Sequence, residues 1–427
     1  METADPAAQA AASDRGDDGL PDARQRRRLL IFLSVATFFE GFDILALTQI
    51  LPSLQADFRL DDAEVGWLLG GINVGSILAF LLVRRADVVG RRPIMMTTIA
   101  GYTVLTGLSA LATDVWQLGL CQSAARMFLI AEWVTSMVYA AESFPARQRA
   151  TMIGIIQAFS SLGAVTCAAV VPLLLKTPLG WRAIYVAGVI PLVILAFARR
   201  DLPETPRFVA ARARGGDLAS RRLTAILRGP YARRVLQLAL IWGLTYLGTH
   251  NAVTFWKQFA VLERGFTDAE VGMSVAIAAV AAMPLLFGVG PLLDAIGRRR
   301  GAVVIHGTAA VAIVLSYTLE GRWPLTVALA FGIFGASAVL PVLNAWTAEL
   351  VPTAIRGDAF AWANNLLGRL GYVIGPVLVG QVAALGVGWG VAVAATAVFP
   401  TMALLLLLRW LPETGGAALD GEVADQR

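Results

Sequence analysis

Apolar residues run in long blocks along the chain, and short polar or charged stretches separate these blocks. Most blocks hold 18 to 27 residues, and a helix of about 20 residues spans the hydrocarbon core of a bilayer. The pattern therefore predicts membrane-spanning helices. Twelve helices are predicted, over residues 29–51, 65–83, 93–113, 118–140, 150–174, 183–199, 235–261, 271–293, 302–319, 324–347, 358–384 and 387–408.

The composition agrees with a membrane protein and excludes several classes of function. Of the 427 residues, 57% are hydrophobic and 15% are charged, and the mean hydropathy is +0.67, which is unusual for a soluble domain. The sequence has no glycine-rich loop followed by Lys and Ser or Thr, no His-Glu-x-x-His and no pair of Cys-x-x-Cys motifs. We therefore expect no enzyme activity, no cofactor and no metal, and we expect Cys121 and Cys167 to be packed thiols.

Lysine and arginine concentrate on one side of the predicted helices. With the N-terminus inside, the tails and the connections after even-numbered helices carry 27 of the 35 cations, as the positive-inside rule requires. We expect a multi-pass protein of the cytoplasmic membrane with both termini cytoplasmic, and we attribute the net charge of +5 to topology. The predicted parts are a disordered cytoplasmic tail at 1–28, a first bundle at 29–199, a cytoplasmic linker at 200–234, a second bundle at 235–409 and a cytoplasmic tail at 410–427.

Four motifs occur twice in the chain at nearly one offset. DAEVG stands at 62–66 and 268–272, Asp-x-x-Gly-Arg-Arg at 87–92 and 294–299, and LPET at 202–205 and 411–414, while AESFPARQR at 141–149 aligns with AELVPTAIR at 348–356. The offsets are 206 to 209 residues, about half the chain. The sequence therefore predicts two six-helix halves of the same orientation, with a solute site between them near the middle of the bilayer.

These motifs resemble the major facilitator superfamily over nearly the whole chain apart from its tails. The segment PETPR at 203–207 also resembles the segment after the sixth helix in the sugar-porter, organic-ion and metabolite–proton symporter branches. The resemblance implies an all-α integral membrane protein with twelve transmembrane helices in two pseudo-symmetric six-helix bundles. It implies a secondary transporter that works by alternating access on a small-molecule substrate, and we expect a monomer.

The repeated loops predict a cytoplasmic gate between the two halves. Acids and arginines at helix ends can pair with helix termini and with the acids of the next loop, and such pairs would hold the bundles together when the inner side is closed. Alternatively, these charges only anchor the loops. The first loop departs from the family pattern at Val83 and Val88, so the pairing has either weakened or moved to Arg84 and Arg85. The predicted gate residues are Asp87, Arg91, Arg92, Glu142, Arg149, Asp294, Arg298, Arg299, Glu349 and Arg356.

Ionisable residues inside the predicted spans are the candidates for proton coupling. A charge at the bilayer centre costs on the order of 2.5–3.5 kcal/mol, yet Glu40 and Asp43 lie three residues apart in the first span. An acid at this depth can bind a proton and release it on the other side, and we expect Asp43 to be the coupling acid, with Glu40 second. Glu132 in the fourth span and His250, which lies 207 residues after Asp43, complete the set. The alternative is a permanent ion pair, with His250 as a hydrogen-bonded spacer.

Two arginines inside the predicted spans favour an anionic solute. Arg126 and Arg369 lie at mid-depth without a surrounding excess of acids, and a guanidinium suits a carboxylate. Arg126 could equally be the structural partner of Asp43 or Glu132. In an α-helix, Trp362, Asn365 and Arg369 would share one face, as would Tyr246, His250, Thr254 and Lys257. The predicted substrate-binding residues are Arg126, Arg369, Asn365, Trp362, Tyr246, Gln157 and Asn344.

The sequence thus predicts a proton symporter for a small organic anion, either a carboxylate or an aromatic acid. A sugar or polyol carrier and a proton-driven exporter are the alternatives within the same fold. A transporter-like solute sensor is an alternative from another class, although the tail after the last predicted helix is short.

Overall fold

The computed structural model describes residues 22–199, 204–205, 208–209, 223–352 and 355–414. Within these ranges, the regular elements are helical. We number twelve elements and count a helix continued across a break as one. They are α1 (Ala23–Phe58), α2 (Asp62–Val89), α3 (Arg91–Ala110), α4 (Val115–Ser143), α5 (Ala146–Leu174), α6 (Arg182–Arg199), α7 (Ala232–Thr254, then Trp256–Leu262), α8 (Asp268–Phe287, then Val289–Ile296), α9 (Arg298–Thr318), α10 (Arg322–Glu349), α11 (Arg356–Phe360, Ala361–Gly368, Leu370–Val382, Ala383–Val387) and α12 (Gly388–Ala395, then Val398–Trp410).

Each of the twelve predicted spans overlaps one of these elements for most of its length, so the predicted helical fold class is confirmed. Spans 93–113 and 302–319 run past the ends of α3 and α9, and span 387–408 begins at the last residue of α11. Among the described helices, seven are long and apolar enough to cross a membrane by length and composition. The first helix begins at Ala23, so residues 23–28 of the predicted tail are helical. Residues 1–21 of that tail, the chain after 414, and most of the predicted linker lie outside the described residues.

The repeated motifs begin and end helices in the same way in both halves. In front of the two DAEVG copies, Asp61 caps α2 and Thr267 caps α8, and each pairs with the Glu three residues later in a capping box, which satisfies helical N–H groups that would otherwise lack acceptors. The glycines of the two Asp-x-x-Gly-Arg-Arg copies have positive φ, 115° at Gly90 and 86° at Gly297. Glycine suits these sharp connections because it has no Cβ to clash.

Within the N-terminal half, glycines let α1 and α5 touch backbone to backbone. A methyl group on Gly41 would lie 1.9 Å from the carbonyl oxygen of Ser160, and one on Gly163 would lie 1.9 Å from that of Phe38. Close approach of this kind is a common way to pack helices in a bilayer, where dispersion contacts replace the hydrophobic effect. The contact fixes the face of α1 that carries Glu40 and Asp43.

The two halves meet along three helix pairs: α2 with α11, α5 with α8, and α1 with α7. Small residues again mark the contacts, since a methyl group on Gly66 would lie 2.6 Å from the carbonyl oxygen of Pro376, and one on Gly272 would lie 2.3 Å from that of Ala168. These residues lie toward the ends of the helices that are far from Arg91 and Arg298. We call the end of the molecule with Arg91 and Arg298 the basic end, and the other the opposite end.

The hydrophobic core is shared between the halves only at the opposite end, among the described residues. There, one cluster unites residues such as Leu54, Val65 and Trp181 with Phe259 and Trp389. At the basic end, each half has a cluster of its own. The halves are therefore packed together at the opposite end and separately packed at the basic end.

Candidate functional site

The predicted gate loops form the same bonded unit in each half at the basic end. Arg91 pairs with Glu142 at 3.1 Å and Arg298 pairs with Glu349 at 3.2 Å. Arg298 also pairs with Asp294 at 2.8 Å. Each of these pairs joins helices of one half. A role in holding the halves together when the inner side is closed stays a prediction.

The duplicated Pro-Glu-Thr segments complete these units. Glu204 accepts hydrogen bonds from the main-chain N–H groups of Arg91 and Arg92, both at 3.1 Å. Glu413 accepts them from Arg298 at 2.7 Å and Arg299 at 2.9 Å. A carboxylate at a helix N-terminus satisfies free N–H groups and complements the helix dipole. The following threonines donate to the loop acids, Thr205 to Glu142 and Thr414 to Glu349.

Three predicted gate residues are not assigned to these units. The side chains of Asp87 and Arg149 lie outside those that the structure describes. Arg356 is described, and its Nε and one terminal nitrogen are buried without a hydrogen-bond partner. The structure therefore places seven of the ten predicted residues in the two bonded units.

The N-terminal half carries its mid-depth charges on α1 and α4. Asp43 accepts a hydrogen bond from Tyr102 of α3, and Arg126 of α4 lies within electrostatic range of both Asp43 and Glu40. The expectation that Arg126 lies without an excess of acids is wrong, because helix packing brings two acids of α1 toward it. The guanidinium is thus partly compensated inside its own half.

Glu40 and Glu132 line one small cavity between α1, α3, α4 and α6. Both are buried, with 7% and 6% of their surface exposed. Glu132 accepts hydrogen bonds from Thr98 at 2.5 Å and from Ser136 at 3.1 Å. One oxygen of Glu40, Oε2, is buried without a partner. The structure therefore brings two of the four predicted proton-coupling residues together and leaves Asp43 beside Arg126.

The C-terminal half presents aromatic rings at the same depth. The ring of Tyr372 stacks on Tyr246 with centroids 4.2 Å apart and meets His250 edge-on at 4.3 Å. The Tyr246 hydroxyl donates to Asn364 Oδ1 at 2.8 Å. Arg126 of the other half lies within electrostatic range of His250 and Tyr372. Arg126 of α4 and the rings of α7 and α11 thus lie within electrostatic range of one another across the two halves.

The segment Ala361–Gly368 of α11 is a π-helix, so the α-helical spacing assumed for Trp362, Asn365 and Arg369 does not apply. Wide turns of this kind are frequent at functional sites. Arg369, 9% exposed, donates to the carbonyl oxygen of Ser76 at 3.2 Å, and Asn73 donates to the carbonyl oxygen of Tyr372 at 3.0 Å. Arg369 therefore ties α11 to α2 across the two halves.

The remaining predicted substrate residues are exposed. The Gln157 side chain accepts a hydrogen bond from the indole of Trp133 at 3.1 Å, which places it beside α4. Asn344 of α10 is exposed. Neither residue is enclosed in the packed part of its half.

Lys257 does not share the face of Tyr246 and His250, as an unbroken α-helix would require. It is 1% exposed and forms an ion pair with Asp268. The reason is a break in α7 at Phe255, after which Trp256–Leu262 forms a separate short helix, so Lys257 does not continue the face of Tyr246 and His250. Nearby, Gln258 donates to Gln55, which in turn donates to Asp62 at 2.8 Å, a chain of bonds that crosses between the halves.

Sequence reasoning missed Tyr102, Tyr372 and Asn364. A signal for Asn364 was present, because it lies 207 residues after Gln157 and so occupies the repeated position in the other half. No comparable signal marked the tyrosines. Among the described residues, no group of three His, Cys, Asp or Glu side chains could hold a metal ion.

Comparison with known proteins gives a consistent result. The sequence profile described as Major Facilitator Superfamily matches residues 33–364 and 238–424. A putative metabolite transport protein of Haemophilus influenzae is 28% identical over 407 residues, which are 92% of this chain and 98% of that protein. The putative niacin/nicotinamide transporter NiaP of Bacillus subtilis is 24% identical over 86% of this chain and 91% of its own length.

Two further matches bear on solute and fold. A gallate transporter of Pseudomonas putida is 25% identical over 87% of this chain and 88% of its own length. The inward-open structure of the xylose transporter XylE from Escherichia coli has a TM-score of 0.73 at 16% identity, over 92% of this chain and 98% of that one. At this identity, the second match shows the fold alone.

Proposed function

Because the chain belongs to the major facilitator superfamily and is a multi-pass membrane transporter, not an enzyme, we propose that it carries an aromatic carboxylate together with a proton. The observation that carries this proposal is the pairing of Arg126 in one half with the Tyr246–Tyr372–His250 ring cluster in the other. Names of relatives agree, since niacin and gallate are both aromatic acids.

Arg126 and the ring cluster suit the two ends of such a solute. A guanidinium holds a carboxylate with two parallel hydrogen bonds, and stacked aromatic side chains offer a flat surface for a ring, with a ring pair contributing about 0.5–1.5 kcal/mol beyond its buried area. Gln157 and Asn364 add amides for a ring hydroxyl or nitrogen. Arg369 lies beside this site and does not contact the solute in this conformation, because its guanidinium is bonded to the main chain of α2.

The solute anion also gives a physical reason for a proton. Arg126 already faces two acids, so an incoming carboxylate adds a third negative charge in a space of low dielectric. Binding of one proton by the acids of the N-terminal half removes this excess. Loaded with both, the site has the same net charge as the empty site, so the solute adds no further charge that must move through the low-dielectric interior in the conformational cycle. Proton and carboxylate then move in the same direction.

The separation of the halves at the basic end fits an inward-open state with both termini in the cytoplasm. The arginine-rich loops lie at that end, as the positive-inside rule requires of the cytoplasmic side. Alternating access then closes the basic end and separates the contacts of α2 with α11 and α5 with α8. Both halves belong to one chain, so the site is complete in a monomer.

The proposal is tested by reconstitution into liposomes that contain a pH-sensitive dye. We would add benzoate, 4-hydroxybenzoate, nicotinate, succinate and xylose in turn, and record solute uptake and lumenal pH. We expect an aromatic carboxylate to enter and to acidify the lumen, because each anion brings a proton. Arg126→Gln should abolish this response, while Arg300→Gln, which removes an exposed arginine at the basic end, should leave it unchanged.

Two results would contradict the proposal. Uptake of xylose with a stationary lumenal pH would identify a sugar facilitator. Uptake of an aromatic carboxylate that leaves the lumenal pH unchanged would support the proposed solute and contradict the proposed coupling to protons.

A further inference from the structure

We infer that the proton-binding group of the N-terminal half is a carboxyl pair, Glu40 and Glu132, that shares one proton across a single water. The role of this pair in transport rests on the proposed proton symport. The pair itself rests on the cavity between α1, α3, α4 and α6. It replaces Asp43, the acid that the sequence favoured.

The cavity is small and has polar groups on two sides. Its volume is about 20 Å³, and a cavity needs about 10–15 Å³ to hold one water. Glu40 and Thr37 line it from α1, Glu132 and Ser136 from α4, and Tyr102 from α3. A water needs two to four polar partners, and the two carboxyl groups supply them. The remaining lining is largely apolar and excludes a second ion or a solute.

The two acids differ in the hydrogen-bond donors that contact their carboxyl groups. Thr98 and Ser136 both donate hydrogen bonds to Glu132, and donors of this kind stabilise an ionised carboxylate. Glu40 has a buried oxygen, Oε2, without a partner. A buried, ionised oxygen without a donor is costly, whereas a protonated one can donate to a water. Glu40 is therefore the acid on which the proton resides, and Glu132 is the acceptor beyond the water.

Helix packing brings the Arg126 guanidinium within electrostatic range of Glu40. On α1, Asp43 follows one turn later and bonds to Tyr102. On α4, Arg126 lies within electrostatic range of both α1 acids. The described part of α6 lines the cavity with leucines. Helix α5 packs against α1 through Gly163; its titratable residues are Arg147 and Arg149 in its first turn and Cys167 near its other end. Glu40 thus lies within electrostatic range of one cation and two further acids, and a proton on Glu40 lowers this excess of negative charge.

Proton binding forms an O–H bond at Glu40 Oε2, and the hydrogen is donated through the water to Glu132. Release breaks that O–H bond, and the proton passes to water on the side to which the cavity opens. Two carboxylates that line one small cavity disfavour each other's charged form. One proton on the pair removes this repulsion.

The test is infrared spectroscopy of the purified full-length protein in D₂O, which reports the C=O stretch of a protonated carboxylic acid and needs no solute. We expect wild type to show one such band at neutral pD. Glu40→Gln should remove it, Glu132→Gln should shift it because the acid proton of Glu40 loses its acceptor, and the double variant should show no band. Asp43→Asn should keep it, as should Glu64→Gln, which changes an acid at the surface of α2.

Several outcomes would overturn the inference. Loss of the band in Asp43→Asn would assign the proton to that acid, and additive loss of two bands would show independent groups. A band that shifts with added NaCl at constant pD would indicate a sodium site. If Glu132→Gln does not fold, Glu132→Asp replaces it; we then expect a shifted band, and an unchanged one would contradict the shared proton.

The lumenal pH measurement separates this inference from the proposed function. If the band behaves as expected while no solute moves protons, the carboxyl pair stands and the symport fails. If a carboxylate moves protons and Glu40→Gln, Glu132→Gln and their double variant all keep the band, the symport stands and the pair is excluded.

Discussion

The two halves share their helix ends and differ at mid-depth. The capping boxes, the positive-φ glycines and the Pro-Glu-Thr caps appear in both. Yet the positions 207 residues after Glu40, Asp43, Arg126 and Glu132 are Leu247, His250, Ile333 and Val339. The duplicated features are those that any six-helix bundle needs to begin, turn and end its helices. The acids at this depth lie in the N-terminal half, and the stacked pair Tyr246–Tyr372 lies in the C-terminal half.

A second difference lies at the opposite end. The C-terminal half buries Lys257 against Asp268, while the N-terminal half has Leu51 and Asp62 at the positions 206 residues earlier. Leu51 is fully buried, and Asp62 accepts a hydrogen bond from Gln55. The aspartate at the equivalent position of the repeat therefore pairs with a lysine in the C-terminal half and accepts a hydrogen bond from a neutral amide in the N-terminal half.

Asp268→Asn is expected to have the largest effect on stability. It leaves the Lys257 ammonium buried without its counter-charge, and breaking a buried pair from one side costs about 3–5 kcal/mol. Lys257→Leu copies the arrangement of the other half, and we expect it to be neutral or to stabilise by about 1–4 kcal/mol. Thermal unfolding in detergent measures both. A larger drop in unfolding temperature for Lys257→Leu than for Asp268→Asn would contradict the explanation that an unpaired, buried ammonium causes the loss of stability in Asp268→Asn.

Gly41→Val tests the helix contact that positions the acids of the N-terminal half. The new side chain would meet the main chain of Ser160, and because main chain cannot turn away, we expect a loss of about 1–3 kcal/mol or more, typical of overpacking. The control is Gly154→Val on α5, where a methyl group meets nothing within 4 Å. Equal unfolding temperatures for the two variants would contradict the close contact.

Tyr246→Phe tests the aromatic side of the site. Removal of the hydroxyl loses the hydrogen bond to Asn364 and keeps the ring, so we expect a loss of about 0.5–1.5 kcal/mol, or up to about tenfold in apparent affinity for an aromatic carboxylate. Concentration-dependent uptake measures it, with Tyr231→Phe, at the start of α7, as the control. A loss of uptake beyond about a hundredfold would mean that the hydroxyl does more than support the ring.

The smallest expected effects compare two acids at the opposite end. Glu263 accepts from the main-chain N–H groups of Trp389 and Gly390 at the start of α12, so Glu263→Gln should cost about 0.5–1 kcal/mol. Asp57, 206 residues earlier, accepts from the Trp181 indole and from Arg182. Because this site is half exposed, Asp57→Asn should cost less, about 0–1 kcal/mol. A larger drop in unfolding temperature for Asp57→Asn than for Glu263→Gln would contradict the expectation that the capping acid contributes more than the half-exposed ion pair.

Much of the candidate site could be predicted from single residues, but not its grouping. Glu40, Asp43, Arg126, Glu132 and His250 stood out because charged or titratable side chains are rare in apolar spans. Which acid faces which partner depends on how each helix is rotated about its axis. Neighbouring helices set this rotation, and the sequence of one helix does not reveal it. The face assigned to Trp362 and Asn365 failed for a local reason, since a π-helical turn changes the angle between successive side chains.

Segment lengths and caps are local, so the sequence by itself determined the twelve helices, their common orientation in two halves and the helix-ending role of the repeated loops. Hydrophobic blocks, N-terminal capping residues and glycines act within a few residues of where they stand, and each can be read without knowledge of neighbours. The tertiary structure decided which charges meet, that Lys257 is buried, and that the halves join at one end only. Those outcomes depend on close approach of residues far apart in the chain, such as Gly41 to Ser160 and Arg369 to Ser76, because electrostatic and packing energies follow distance in space.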